Sequence, residues 1–155
     1  MTGEDAMSGS DPALEQTAAK HLAFGWWLVV ASIALGTLLE GLHALKLGLY
    51  LDVANETRRL LWTLAHAHGA LLGLVNVAFA NSLPKLAALS AGGRTLASRA
   101  LVAGALLLPA GFFLGGVFVY EGDPGLAVLL APVGAALVLV AAIVIALGAR
   151  RRESA

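Results

Sequence analysis

The chain of 155 residues contains no cysteine. This excludes disulfide bonds, iron–sulfur clusters, thiolate metal sites and cysteine nucleophiles. Charged side chains are also scarce, at 13% of the residues, and ten basic residues balance ten acidic ones. Because there is no excess of positive charge, the composition gives no reason to expect nucleic acid as a partner.

Apolar residues make up most of the chain, 59% by count, and they stand in long blocks. A soluble domain of this size needs a polar surface that this composition does not supply. Four blocks reach the length of about 20 residues that carries a helix across a hydrocarbon core. They cover residues 24–50, 60–83, 96–120 and 126–148. With short loops between them, they predict an all-α, polytopic integral membrane protein with four transmembrane helices in one antiparallel bundle.

The domain boundaries follow from the change in composition along the chain. Residues 1–21 are rich in Gly, Ser, Asp and Glu, which predicts a disordered acidic tail, and His21 falls within it without a role. Residues 22–149 form the predicted transmembrane domain, and residues 150–155 form a short basic tail. The first apolar block exceeds the length of a signal-peptide core and follows no basic leader, so we interpret it as a retained helix.

Basic residues predict the orientation of the bundle. With four crossings, both termini and the middle loop share one side, which carries Lys20, Lys85, Arg94, Arg99, Arg150, Arg151 and Arg152. The other side carries Lys46, Arg58 and Arg59. Because positive charge accumulates on the cytoplasmic side, we expect a protein of the cell (inner) membrane with both termini in the cytoplasm and the lipid bilayer around it.

Small residues form stripes at helical spacing on three of the helices. The stripes consist of Gly69 and Gly73, then Gly104, Gly111 and Gly115, then Ala131, Ala135, Ala142 and Ala146. In lipid, helices associate through close backbone approach, which small residues permit. The stripes therefore predict tight packing within the bundle, and further association with a second copy or with a partner in a membrane complex.

Ionisable residues inside apolar spans are costly, so they tend to face the interior of a bundle or a wet cavity. Glu40 and His43 are three residues apart and lie near one face of the first helix. On the second helix, His66 is in line with Gly69, Gly73 and Asn76, and we expect Asn76 to make an interhelical hydrogen bond. His68 lies about 200° round from His66, so the two rings face different neighbours.

The depths of these residues predict that they meet. At ~1.5 Å per residue, His43 lies about 10 Å further in than Tyr50, and His66 and His68 lie about 6–9 Å further in than Trp62. Since a tight turn joins the first two helices, the depths coincide in the non-cytoplasmic half of the bundle. We therefore expect Glu40, His43 and His66 to converge there.

Three interpretations of this cluster stay open. In the first, Glu40, His43 and His66 are catalytic and perform acid/base chemistry on a small lipophilic substrate. In the second, His43, His66 and His68 bind a haem or a divalent metal ion. In the third, the polar groups bond one another, and the protein is a structural or accessory subunit of a membrane complex. The cofactor is unknown, since only the second interpretation requires one.

The segment His66-Ala-His-Gly69-Ala-Leu-Leu-Gly73 resembles the His-x-x-Gly-x-x-x-Gly stretch of the small four-helix hydroxylaminobenzene mutase family. Chain length, four spans and the position of the segment on the second helix agree with that family. The resemblance implies rearrangement of an arylhydroxylamine to an aminophenol without an external cofactor, with His66 carried over. Two positions depart: His68 replaces an expected acid, for which Glu40 is a substitute, and Leu72 replaces an expected Asn.

Overall fold

The computed structural model describes residues 11–52, 56–86 and 89–150. The main helices are α1 (Pro12–Ala44), α2 (Thr57–Ser82), α3 (Ala91–Val117) and α4 (Leu130–Arg150). Short 3-10 turns, Leu83–Leu86 and Leu126–Leu129, follow α2 and precede α4. All four helices are long and apolar enough to cross a membrane. The prediction of an all-α membrane protein with four spans is thereby confirmed.

The structure corrects the predicted tail at the start of the chain. Residues 12–21 belong to α1, while residues 1–10 and 151–155 lie outside the described ranges. The helix begins here because Asp11 caps it: Oδ1 of Asp11 accepts a hydrogen bond from the backbone N–H of Ala13 at 3.1 Å. Pro12 occupies the first turn, where its missing N–H costs nothing.

The end of α1 also differs from the predicted span of 24–50. The helix stops at Ala44 because Lys46 adopts a left-handed backbone conformation (φ 52°), and the chain turns back. Tyr50 then stacks on Trp62 with 6.4 Å between ring centroids. Since Tyr50 is not in the helix, the depth predicted for His43 is wrong. His43 lies in the last turn of α1, where it is exposed.

The helices form an open bundle in which α2 and α3 are central. In an apolar 18-residue stretch of each helix, the buried share is 33% for α2 and 44% for α3. The corresponding shares are 22% for α1 and 17% for α4. Helix α1 packs on α2 and α4 packs on α3, while α1 and α4 do not pack against each other in the described ranges. We call the end that holds Pro12, Ser82, Ala91 and Arg150 the proximal end, and the opposite end the distal end.

Glycines set the distances between neighbouring helices, as their spacing predicts. A Cβ built on Gly73 would lie 2.8 Å from the carbonyl oxygen of Gly25 on α1. A Cβ on Gly104 would lie 2.8 Å from the carbonyl oxygen of Gly134 on α4. Such approaches admit no side chain, so close helix contact depends on glycine at these positions.

The small-residue face predicted for α4 is only partly correct. Ala131 is buried, but Ala135, Ala142 and Ala146 are exposed. The buried face of α4 consists of Ala131, Gly134, Ala141 and Gly148. The predicted face was wrong because alanine is found on both buried and exposed faces of a helix. On α4 the glycines, Gly134 and Gly148, lie on the buried face. Self-association through the exposed alanines stays a prediction.

Replacing Gly73 with alanine should destabilise the bundle, because the added methyl group meets the backbone of α1. We expect a loss of about 1–3 kcal/mol in the free energy of unfolding, the usual cost of overpacking. The measurement is unfolding of the purified variant in detergent. Gly41→Ala is the matched control, since a Cβ there has no neighbour within 4 Å. Equal stability of the two variants would contradict the account of glycine packing.

Candidate functional site

His66 is held in a defined orientation between α1 and α2. Its Nδ1 lies 2.7 Å from the backbone carbonyl oxygen of Ser32. Because a carbonyl can only accept a hydrogen bond, Nδ1 carries the proton and donates it. When the ring is neutral, the lone pair is on Nε2, which has no hydrogen-bond partner among the described residues. This is the arrangement of a histidine prepared to accept a proton.

Gly36 makes room for the His66 ring. A Cβ built at Gly36 would lie 2.6 Å from Nδ1 of His66 and 3.1 Å from Nε2. Ser32, which accepts the hydrogen bond, lies one turn before Gly36 on α1. The orientation of the His66 ring therefore depends on two features of α1: the absence of a side chain at Gly36 and the backbone carbonyl of Ser32.

Glu40 and His66 line the same cavity near the distal end of the bundle. Its volume is about 300 Å³, and polar groups of Thr37, Tyr50 and Thr63 also line it. Within the described parts of the chain, no ion pair engages Glu40. The lining thus combines Glu40 and His66 with an apolar wall that includes Ile33 and Leu39, while the hydroxyl groups of Thr37 and Thr63 donate to carbonyls of their own helices.

His43 does not line this cavity with the other two predicted site residues. Its ring packs edge-on against Tyr50, with 6.5 Å between centroids. The reason is the early end of α1, which leaves His43 on the last turn. The structure therefore brings Glu40 and His66 to one cavity and leaves His43 outside its lining, in contact with Tyr50.

His68 faces α3, away from the cavity, as its angular position on α2 predicts. Its ring contacts Phe112 with a centroid distance of 5.1 Å. Its Nδ1 lies 2.8 Å from the carbonyl oxygen of Leu64, one turn earlier on the same helix. His66 and His68 therefore have different neighbours, the first on α1 and the second on α3.

The predicted set of metal-binding residues is not assembled. Among residues 11–52, 56–86 and 89–150, no group of three His, Cys, Asp or Glu side chains lies close enough to hold a metal ion. His43, His66 and His68 are separated because they point towards Tyr50, α1 and Phe112 respectively. The three histidines therefore do not share one metal site in the part of the chain that the structure describes.

A second polar cluster, which the sequence analysis did not predict, lies near the proximal end. His21 is only 1% exposed, and its two ring nitrogens are both engaged. Nδ1 lies 2.7 Å from Oδ1 of Asn76 on α2, and Nε2 lies 2.8 Å from Oγ of Ser98 on α3. The predicted interhelical hydrogen bond of Asn76 is confirmed, with His21 as its partner.

The direction of these hydrogen bonds follows from the backbone carbonyl of Leu72, which fixes the orientation of the Asn76 amide. Nδ2 of Asn76 donates to the carbonyl oxygen of Leu72 at 2.8 Å, so Oδ1 is the atom turned towards His21. Nδ1 of His21 must then donate, and Nε2 of the neutral ring accepts from the Ser98 hydroxyl. These hydrogen bonds join three helices through one side chain.

His21 was assigned to the tail because the polar residues before it concealed the start of α1. Two signals in the sequence point to the correct assignment. Asp11 followed by Pro12 is a helix start, and His21 continues the stripe of Gly25, Val29 and Ser32 at helical spacing. All four residues of that stripe are buried on α1.

Comparison of the chain with protein-family models, with curated proteins and with solved structures finds no match.

Proposed function

We propose that the cavity lined by Glu40 and His66 is the active site of an isomerase that acts on a small lipophilic molecule. The observation that carries the proposal is the hydrogen bond from Nδ1 of His66 to the Ser32 carbonyl, which leaves Nε2 without a hydrogen-bond partner in a cavity that Glu40 also lines. A base held in one tautomer and a carboxyl group that line one cavity are the components of general acid/base catalysis. The resemblance of the His66–Gly73 segment to hydroxylaminobenzene mutases suggests an arylhydroxylamine as the substrate.

The chemistry of this rearrangement suits a site that only moves protons. Conversion of an arylhydroxylamine to an aminophenol breaks an N–O bond and forms a ring C–O bond, with no net oxidation. Glu40 in its acid form donates a proton as the N–O bond breaks and water leaves; the water adds to the ring carbon and returns a proton to Glu40. Nε2 of His66 then takes the proton from that ring carbon and passes it to the nitrogen, which gives the aminophenol. No external cofactor is needed, since the product is an isomer of the substrate.

The cavity also supports the substrate class. Its volume of about 300 Å³ is at the lower limit for small-molecule sites, so a single substituted ring is a suitable occupant. Ile33 in its wall is 57% exposed on the outer surface of α1. A lipophilic substrate can therefore enter sideways from the hydrocarbon core.

Turnover by the purified protein tests this function. We expect phenylhydroxylamine to be converted to aminophenol, and His66→Ala and Glu40→Gln each to lower kcat/KM about 100-fold or more, as for loss of a general acid or base. His43→Ala and His68→Ala should retain most of the activity because neither side chain lines the cavity. Wild-type protein without turnover, or a fully active His66→Ala variant, would refute the proposal.

The Gly36→Ala substitution keeps Glu40 and His66, so it separates an effect on catalysis from an effect on folding. Gly36→Ala displaces the His66 ring from the Ser32 carbonyl, so it should lower kcat while the protein still folds. Gly41→Ala adds the same methyl group to the same helix without meeting a neighbour. The two variants should therefore differ in activity. If both variants match the wild type, the orientation of His66 has no part in the reaction.

We also propose that the proximal end faces the cytoplasm, in the inner membrane of the cell. The support is the excess of basic residues at that end, with Lys20, Lys85 and Arg94 among them. A chain without cysteine allows a direct test, since each single substitution introduces one thiol. A membrane-impermeant maleimide should label Gly48→Cys in intact cells and Ala91→Cys only after lysis. The reverse pattern would mean the opposite orientation.

A further inference from the structure

A groove runs between helices α1 and α3, and we call it the α1–α3 seam. Helix α1 packs chiefly against α2, helix α3 packs against α4 and α2, and α1 and α3 contact each other only slightly. Two cavities lie on this seam. One, of about 220 Å³, is at the proximal end, and the other, of about 270 Å³, lies further towards the distal end. We call them the basic pocket and the apolar trough.

The basic pocket carries positive charge and hydroxyl groups. Its polar lining consists of Thr17, Lys20, Arg94, Thr95, Ser98 and Arg99. Arg94 is partly neutralised by Asp11, whose carboxylate oxygen lies 3.3 Å from Nη2. Lys20 and Arg99 have no ion-pair partner in the described ranges, so the pocket keeps a net positive charge. The cationic side chains suit phosphate oxygens, whereas the hydroxyl groups are already bonded to backbone carbonyls and to His21.

The apolar trough has a different chemistry. It is lined by Leu28 and Leu35 of α1 and by Ala105, Leu106, Pro109 and Phe113 of α3, among others. Along α3, Ala105 lies about 10 Å from Ser98, at ~1.5 Å per residue. One leaflet of a bilayer has a hydrocarbon depth of about 15 Å, half of the whole core. An acyl chain whose head group occupies the basic pocket therefore reaches the trough.

We propose that the α1–α3 seam binds an anionic phospholipid, with its phosphate in the basic pocket and one acyl chain in the apolar trough. Basic pockets between transmembrane helices at a membrane surface recognise anionic head groups. A free phosphate accounts for the pocket but not for the trough on the same seam. The site is separate from the Glu40 and His66 cavity, so the proposal does not depend on the isomerase function.

Lipid binding to the full-length protein in detergent tests the proposal, with native mass spectrometry as the readout. The probes are dioleoyl phosphatidylglycerol and dioleoyl phosphatidylcholine, which share their acyl chains and differ in net charge. We expect tighter binding of phosphatidylglycerol. Equal affinity for the two lipids would overturn the proposal.

Charge variants test the basic pocket. Each basic residue near an anionic lipid is worth about fivefold in affinity, so Lys20→Gln/Arg99→Gln should weaken phosphatidylglycerol binding roughly 25-fold. Arg94 is left in place to keep its contact with Asp11. The charge-matched control is Lys85→Gln/Arg150→Gln, which removes two exposed basic residues from the same end, outside the pocket. A similar loss in the control would overturn the assignment to this pocket.

A steric variant tests the trough and separates a lipid from a free phosphate. Ala31 is exposed and lines the trough, so Ala31→Phe should fill it and weaken phosphatidylglycerol binding. The control is Ala34→Phe, on an exposed position of α1 that lines neither cavity. Inorganic phosphate should not displace the lipid at millimolar concentration. Displacement by phosphate, or no difference between the two phenylalanine variants, would overturn the lipid proposal.

Discussion

Hydrogen bonds of the His21 side chain are the interaction on which the rest of the bundle depends. A polar ring in an apolar interior must find its partners within the protein, because no water is available there. His21 finds them on two other helices, in Asn76 and Ser98, so one side chain sets the depth of α1, α2 and α3 relative to one another. No described buried side-chain nitrogen or oxygen is left without a hydrogen-bond partner.

The glycine contacts and the hydrogen bonds support each other. Gly25 follows His21 by one helical turn, and Gly73 precedes Asn76 by about one turn, so close backbone approach lies beside the His21–Asn76 bond. Because side chains at Gly25 or Gly73 would separate the helices, the hydrogen bond requires these glycines. In the distal half, the absence of a side chain at Gly36 makes room for the His66 ring, which bonds the Ser32 carbonyl. The same physical rule thus builds a structural cluster and a candidate active site.

Hydropathy and helical periodicity predict much of this fold. The four spans, the packing role of Gly69 and Gly73, and the opposite faces of His66 and His68 all follow from the repeat of 3.6 residues per turn. The sequence also predicts the side on which His66 lies, since Gly69, Gly73 and Asn76 share its stripe. These features depend on the spacing of residues along a single helix, which can be read directly from the sequence.

The remaining features depend on pairing between distant residues. The end of α1 at Ala44 results from the backbone conformation of Lys46 and from the contact of Tyr50 with Trp62, neither of which periodicity encodes. The choice of Ser98 as a partner of His21 requires the crossing geometry of α1 and α3. The separation of His43 from the Glu40 and His66 cavity has the same origin, because it depends on where the helix stops.

Ring-nitrogen chemical shifts of the histidines in isotope-labelled protein, in lipid bilayers, test the central claim most directly. The chain has four histidines, so single substitutions suffice to assign the signals. The account predicts that neutral His21 carries its proton on Nδ1, as a donor to Asn76, with Nε2 accepting from Ser98. A neutral His21 with its proton on Nε2 would direct a lone pair at the Asn76 oxygen and contradict the account.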